Sequence, residues 1–239
     1  MLTTPDWILA ATLCVFLPAF AVWSYPRFCR RVAAGESQAR VNEYSNTLLM
    51  EWGLVLATGL LWLAQERSLQ SLGLGLPLGP GFVIAAGIVG VLIILQLLQT
   101  RAILRDPEKQ QEIRRQLGKL AALVPHTRRE RAWFSALSIT AGICEEILFR
   151  GFLLWMATTL VGLPLAVVLT SILFGVAHLY QGPLGGLKAA GVGLVMALLT
   201  VLSGSIWLPM LLHAALDLSS GAITAGSAQE TLSPDPVAE

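Results

Sequence analysis

An all-α polytopic membrane bundle, with about seven transmembrane helices and a polar cavity in its C-terminal half, is the fold class this sequence predicts. Three observations lead there. Of its 239 residues, 55% are hydrophobic and only 13% charged, where a soluble domain has about 45–50% and about 25%. The apolar residues gather into runs near the length of about 17–25 residues that crosses a bilayer. The links between runs are either strongly charged or rich in Gly and Pro. The net charge of +1 says nothing about partners; membrane lipid is expected as one, and nucleic acid is not.

The predicted spans are residues 7–23, 48–64, 81–98, 133–160, 164–180, 184–203 and 206–225. The first follows MLTTPDW, which has no basic region and no small-residue cleavage site, so it reads as a retained span and not a signal peptide. The fourth is longer than a crossing needs, which predicts a tilted or partly interfacial helix. Pro18, Pro164, Pro183 and Pro209 fall near run ends or at expected kinks. Residues 71–81 (SLGLGLPLGPG) form a turn-rich loop. Cys14, Cys29 and Cys144 show no paired spacing and read as packing residues.

Lysine and arginine in short links set orientation. The link after the first run carries Arg27, Arg30, Arg31 and Arg40, and the link after the third carries nine bases against four acids. Both belong on the cytoplasmic side, and Arg67, offset by Glu66, lies on the other. Seven spans then put the N-terminus outside and the C-terminus inside, with the bacterial inner membrane as the expected location. Residues 106–123 read as an amphipathic helix through Ile113, Leu117, Leu120 and Leu123. Two readings stand for it: an interfacial helix attracting anionic lipid, or a solvated linker. Residues 226–239 are polar and aperiodic, and predict a disordered tail.

Apart from Lys188 in a short link, six ionisable groups mark the later spans: Glu145, Glu146, Arg150, His178, His213 and Asp217. Glu51 stands at the edge of the second run. A charge at bilayer depth costs at least about 2.5–3.5 kcal/mol and is a functional-site hypothesis by default. Residues four apart share a helix face, so Glu146 faces Arg150 and His213 faces Asp217. Glu145 is turned about 100° from Glu146 and is free for chemistry. It lies about 18 Å along the helix from residue 133, at a depth where His178 and His213 can meet it. A glutamate with two histidines can activate water for attack on a carbonyl. Glu145, His178 and His213 can alternatively hold zinc, although HExxH is missing. Both the zinc reading and the metal-free reading stand.

The stretches EEILFR (Glu145–Arg150), FGVAH (Phe174–His178) and HAALD (His213–Asp217), in this order on successive apolar runs, resemble the CPBP family of intramembrane proteases. This family is also called the Abi or CAAX-protease family and includes the Rce1-like peptidases. The resemblance divides the chain into N-terminal helices and a basic linker (1–132), a CPBP-like core (133–225) and the tail (226–239). It implies an intramembrane endopeptidase acting on a membrane-associated peptide or protein. It also implies Glu145 as base on water, His178 holding that water, and His213 with Asp217 on the oxyanion side. Glu146 and Arg150 would organise the site, while Phe174, beside Gly175, packs helices. Asp217 stands where asparagine is usual in the family. An ionised aspartate cannot donate a hydrogen bond, which favours orientation of His213 or metal binding as its role. The competing class is a proton-coupled transporter or non-catalytic scaffold using the same acids; a transporter usually carries repeated halves, and none are visible. Haem held by two histidines is a more distant reading.

Overall fold

The seven apolar runs all fold as helices, and an eighth, amphipathic helix joins the third run to the fourth. The computed structural model describes residues 2–229. In order, α1 is Thr4–Ala33, α2 Ala39–Ala64, α3 Pro80–Leu104 and α4 Pro107–Leu117. Helix α5, residues 128–161, is built from Arg128–Glu145, a π-helical stretch Glu146–Leu153, and Leu154–Val161. It is followed by α6 (Leu163–Ala177), α7 (Pro183–Ser203) and α8 (Trp207–Gln229). No strand occurs among the described residues.

Five helices (α1, α2, α3, α7, α8) are long and apolar enough to cross a membrane. Helix α5 is long but carries Glu145, Glu146 and Arg150 within its apolar stretch, and α6 has only 15 residues. The outer surface is apolar: on α3, Val83 is 65% exposed and Ile94 58%. Water would not tolerate such a continuous apolar jacket; hydrocarbon does, and the chain is an integral membrane helical bundle.

Two sequence expectations need correction. The amphipathic helix predicted over 106–123 ends at Leu117, because Gly118 takes φ +50° and only a 3-10 turn, Gly118–Leu123, continues. Its start is set by Asp106, whose carboxylate accepts from the Lys109 backbone N–H at 3.1 Å. That bond holds the exposed carboxyl below its ordinary range. The predicted tail begins inside a helix, since α8 runs to Gln229; residues 230–239 lie outside the described residues. Helix α5 starts with a capping box: Thr127 Oγ1 accepts from the Glu130 N–H at 3.1 Å, and Glu130 accepts from the Thr127 N–H at 2.9 Å.

The end of the bundle opposite the basic links is held by a clasp. Asp6 is fully buried and receives Arg67 Nη1 and Nη2, both at 2.7 Å, and the Thr3 N–H at 2.7 Å. The Arg67 guanidinium lies 4.5 Å from the Trp155 ring and 5.0 Å from Trp62. Arg67 is thus paired with α1 and not with its neighbour Glu66. Removing one partner of a buried pair costs about 3–5 kcal/mol. Arg67→Ala is therefore expected to lower the thermal midpoint in detergent clearly, and Glu66→Ala to leave it unchanged. Equal midpoints for the two variants would contradict the clasp.

Helices α5 and α8 cross so closely that a Cβ on Gly142 would lie 2.6 Å from the Ala214 backbone nitrogen. Helix α6 packs antiparallel to the far half of α5 and to α7, and it stops at Ala177 with His178 beside Glu145. Glu145 is 17 residues into α5, about 26 Å from its basic end. Where α6 stops short, His178, Glu145 and Asp217 stay partly exposed, and this opening before the link Leu179–Gln181 is the cleft of the site.

Candidate active site

Glu145 closes the regular first part of α5, and Glu146 opens the π-helical stretch. A π turn is rare and frequent at functional sites because it re-aims side chains within a continuous helix. The residue pattern carries no sign of it and predicts one continuous helix across 133–160. Through this wide turn Arg150 Nη1 still reaches Glu146 Oε1, donating at 3.0 Å, while its Nη2 donates to the Gly193 carbonyl of α7 at 3.1 Å. The guanidinium lies 4.2 Å from the Phe174 ring of α6. Gly193 must be glycine-sized here, since a Cβ would meet Arg150 Nη2 at 3.1 Å and Phe174 at 3.2 Å.

Glu146 Oε1 has a second partner. His213 Nδ1 on α8 stands 2.8 Å away, and since a carboxylate accepts, Nδ1 is assigned the proton. His178 repeats the arrangement: its Nδ1 stands 2.8 Å from the Phe174 carbonyl, which can only accept. Both imidazoles therefore turn Nε2 toward the cleft. Each Nε2 points at one atom, Glu145 Oε2, at 4.0 Å from His178 and 3.8 Å from His213. That oxygen has no hydrogen-bond partner.

The side chains grade from sealed to open. Glu146 is 0% and Arg150 2% exposed, His213 7%, His178 15% and Glu145 19%, with Asp217 at 40%. The sealed members form a scaffold around Phe174, whose ring centroid is 5.9 Å from His213 and 4.5 Å from His178. The half-open members line the cleft. Asp217 Oδ2 is 3.8 Å from His213 Nε2, beyond hydrogen-bond length. The carboxylate that orients His213 is therefore Glu146, reached across helices, and not Asp217 four residues away, as the shared face suggested.

Two further residues join the cleft. Glu51 of α2 is only 6% exposed, with Oε2 unpartnered, next to Trp52, whose Nε1 donates to Thr140 Oγ1 of α5 at 3.3 Å. The sequence placed it at a span edge because the apolar run starts near residue 48. The helix itself starts at Ala39, so Glu51 lies about 18 Å inside it. A signal was available: Tyr44, Glu51 and Thr58 repeat every seven residues and are all buried. Tyr180 follows His178 on the link, accepts a bond from Gln181 Nε2 at 3.1 Å, and packs 5.0 Å from Tyr25 of α1.

A zinc ion with ligands at about 2.0–2.2 Å in a tetrahedron needs donors about 3.4 Å apart. The separations of 3.8 and 4.0 Å are wider, and no group of three His, Cys, Asp or Glu suited to a metal occurs among the described residues. A water making hydrogen bonds of about 2.8 Å to each side bridges such gaps easily.

An apolar bundle with carboxylates and imidazoles sunk into its interior is an integral membrane protein with a buried polar site. Residues 128–219 match the family model described as Type II CAAX prenyl endopeptidase Rce1-like; this stretch is an Rce1-like domain of the CPBP, or CAAX-protease, family, whose members are membrane peptidases. The match runs from the first residue of α5 into α8, taking in every site residue named from the sequence and leaving out Glu51. No curated protein and no solved structure gives a significant match.

Proposed function

We propose that this protein is an intramembrane endopeptidase in which Glu145 activates a water against a peptide carbonyl. The observation that carries the reading is the convergence of two oriented imidazole Nε2 atoms on the unpartnered Glu145 Oε2, at 3.8 and 4.0 Å. A water bridging these atoms gives one hydrogen to Glu145 and is held by His178. As its oxygen bonds to the carbonyl carbon, the proton passes to Glu145. The C–N bond then breaks, and Glu145 returns the proton to the leaving amine. Glu146 holds His213 in place, and Arg150 holds Glu146. No step is assigned to a metal.

The substrate class we propose is a membrane-associated peptide or protein, reached from the side where the basic links lie. The excess of Lys and Arg makes that side cytoplasmic, with the N-terminus outside and the inner membrane of a bacterium as the setting. The family description names prenyl endopeptidases; a lipid-anchored peptide is thus the first substrate to try.

The purified protein in detergent or liposomes should cleave such a peptide, and Glu145→Ala and His178→Ala should each abolish cleavage while still folding. Retained cleavage in both variants would sink the assignment. Gly142→Ala supplies a positional check. Its Cβ, 2.6 Å from Ala214 N, must push α8 outward and carry His213 with it. Misplacement of a reacting group by about 1 Å can cost about 10²-fold, and a loss of that order is expected.

A further inference from the structure

Helices α3, α7 and α8 close together at one end and part toward the other. Away from the basic links they seal a core cluster: Ala85 and Met196 are 0% exposed, and Val89 and Leu212 2%. Along the same face of α3, burial then fades through Leu92 and Gln96, both half-buried, to the exposed Gln99. Between the parted helices lies a groove of about 280 Å³. Its flanks Leu95 and Val195 are 56% and 43% exposed, so it opens on the apolar surface that faces hydrocarbon.

The walls are apolar except for Gln96 and Gln99, one turn apart on α3. Neither side-chain amide has a hydrogen-bond partner among the described residues. Hydrocarbon holds no water to satisfy an amide, so a polar group left bare there is costly. Depth says what could satisfy these two. Counted back from Leu104 at about 1.5 Å per residue, Gln99 lies about 8 Å and Gln96 about 12 Å from the basic end of α3. A helix of 25 residues is a few ångströms longer at each end than a hydrocarbon core of about 30 Å. Both amides therefore lie just inside the boundary, the level of the ester carbonyls of a glycerophospholipid. Those carbonyls are acceptors that carry no hydrogen, which suits two free amide donors.

We propose that this groove binds one glycerophospholipid of the surrounding bilayer. An acyl chain lies along Leu95, Val195 and Leu216, and the ester carbonyls accept from Nε2 of Gln96 and Gln99. A volume of about 280 Å³ takes a slender chain and not a partner helix, which is about 10–12 Å across with its side chains. Met196 and Leu212, both sealed, floor the groove and part it from His213, so the anchor of a substrate held in the cleft is not the occupant. The inference stands apart from the peptidase reading.

Its test needs no cleavage. The full-length protein, stripped of lipid in detergent, is titrated with a phosphatidylethanolamine carrying a diazirine on one acyl chain, then irradiated. Adducts are located by mass spectrometry. Labelling of Leu95, Val195 and Leu216 should saturate, whereas labelling of Ile94, on the outward face of α3 at 58% exposure, should not. Leu95→Trp, which fills the groove from an exposed position, should abolish the groove adducts, and Ile94→Trp should leave them. Gln96→Leu combined with Gln99→Leu should raise the lipid concentration for half-labelling by roughly 5- to 100-fold, the loss of two hydrogen bonds.

Groove labelling that never saturates, or that survives Leu95→Trp, overturns the site. So does an unchanged midpoint in the double glutamine variant. Displacement of the probe by a prenylated peptide, but not by unlabelled phosphatidylethanolamine, would make the groove a substrate site instead. A cross-link between two chains through Leu95 would give it to a second copy. None of these outcomes involves Glu145, so a failure here leaves the peptidase reading intact, and absent cleavage leaves the lipid site intact.

Discussion

Glu145→Gln is expected to lower kcat for an anchored peptide by about 10²–10⁴-fold, the range a positioned general base supplies, with KM little changed. The glutamine keeps the shape and a carbonyl oxygen 3.8–4.0 Å from the two imidazoles, so water can still be held, but no group remains to take its proton. Folding should be untouched, because Glu145 Oε2 has no partner to lose. His178→Ala, which removes the group that holds the water, should be about as damaging, whereas Asp217→Asn should cost least, since Asp217 Oδ2 lies 3.8 Å from His213 and orients nothing at hydrogen-bond length. The order is what matters. If Asp217→Asn is as damaging as Glu145→Gln, Asp217 shares the proton chemistry and the division of roles is wrong. If Glu145→Gln retains near wild-type turnover, Glu145 is not the base.

This asymmetry between neighbouring glutamates was legible in the sequence to a fair degree. Glu146 and Arg150 are four apart, and that spacing alone predicted their contact, which survives even in a π-helical turn. The apolar runs foretold the spans because burial in hydrocarbon demands continuous hydrophobicity and leaves little freedom. What could not be read depends on contacts between distant segments. The Glu146–His213 bond joins residues 67 apart, and helical periodicity carries no information across such a gap. For the same reason Asp217 was credited with orienting His213: the local neighbour was visible and the remote one was not. The Asp6–Arg67 clasp, 61 residues apart, was missed likewise. Glu51 was misjudged for a different reason. Hydropathy marks where an apolar run begins, but the α2 helix continues 9 residues beyond it through polar sequence to Ala39.

Arg150→Ala is expected to be the most destabilising single change in the site. The guanidinium is 2% exposed and satisfies Glu146 Oε1 at 3.0 Å and the Gly193 carbonyl at 3.1 Å, stacked 4.2 Å from Phe174. Alanine leaves a buried carboxylate with only His213, an orphaned carbonyl, and a void under an aromatic ring. Breaking a buried pair from one side costs about 3–5 kcal/mol. At about 2–4 °C per kcal/mol for a chain of this size, the thermal midpoint in detergent should fall by on the order of 10 °C. Arg150→Lys should recover only part of it, because an ammonium cannot span Glu146 and Gly193 as a planar fork does. The two glutamates then separate in opposite directions: Glu145→Gln removes turnover at constant stability, whereas Arg150→Ala removes stability first and takes turnover with it, by freeing Glu146 from the geometry that aims His213. An Arg150→Ala protein with an unchanged midpoint but no activity would mean that Arg150 acts on substrate directly, and that the sealed half of the site is not a scaffold.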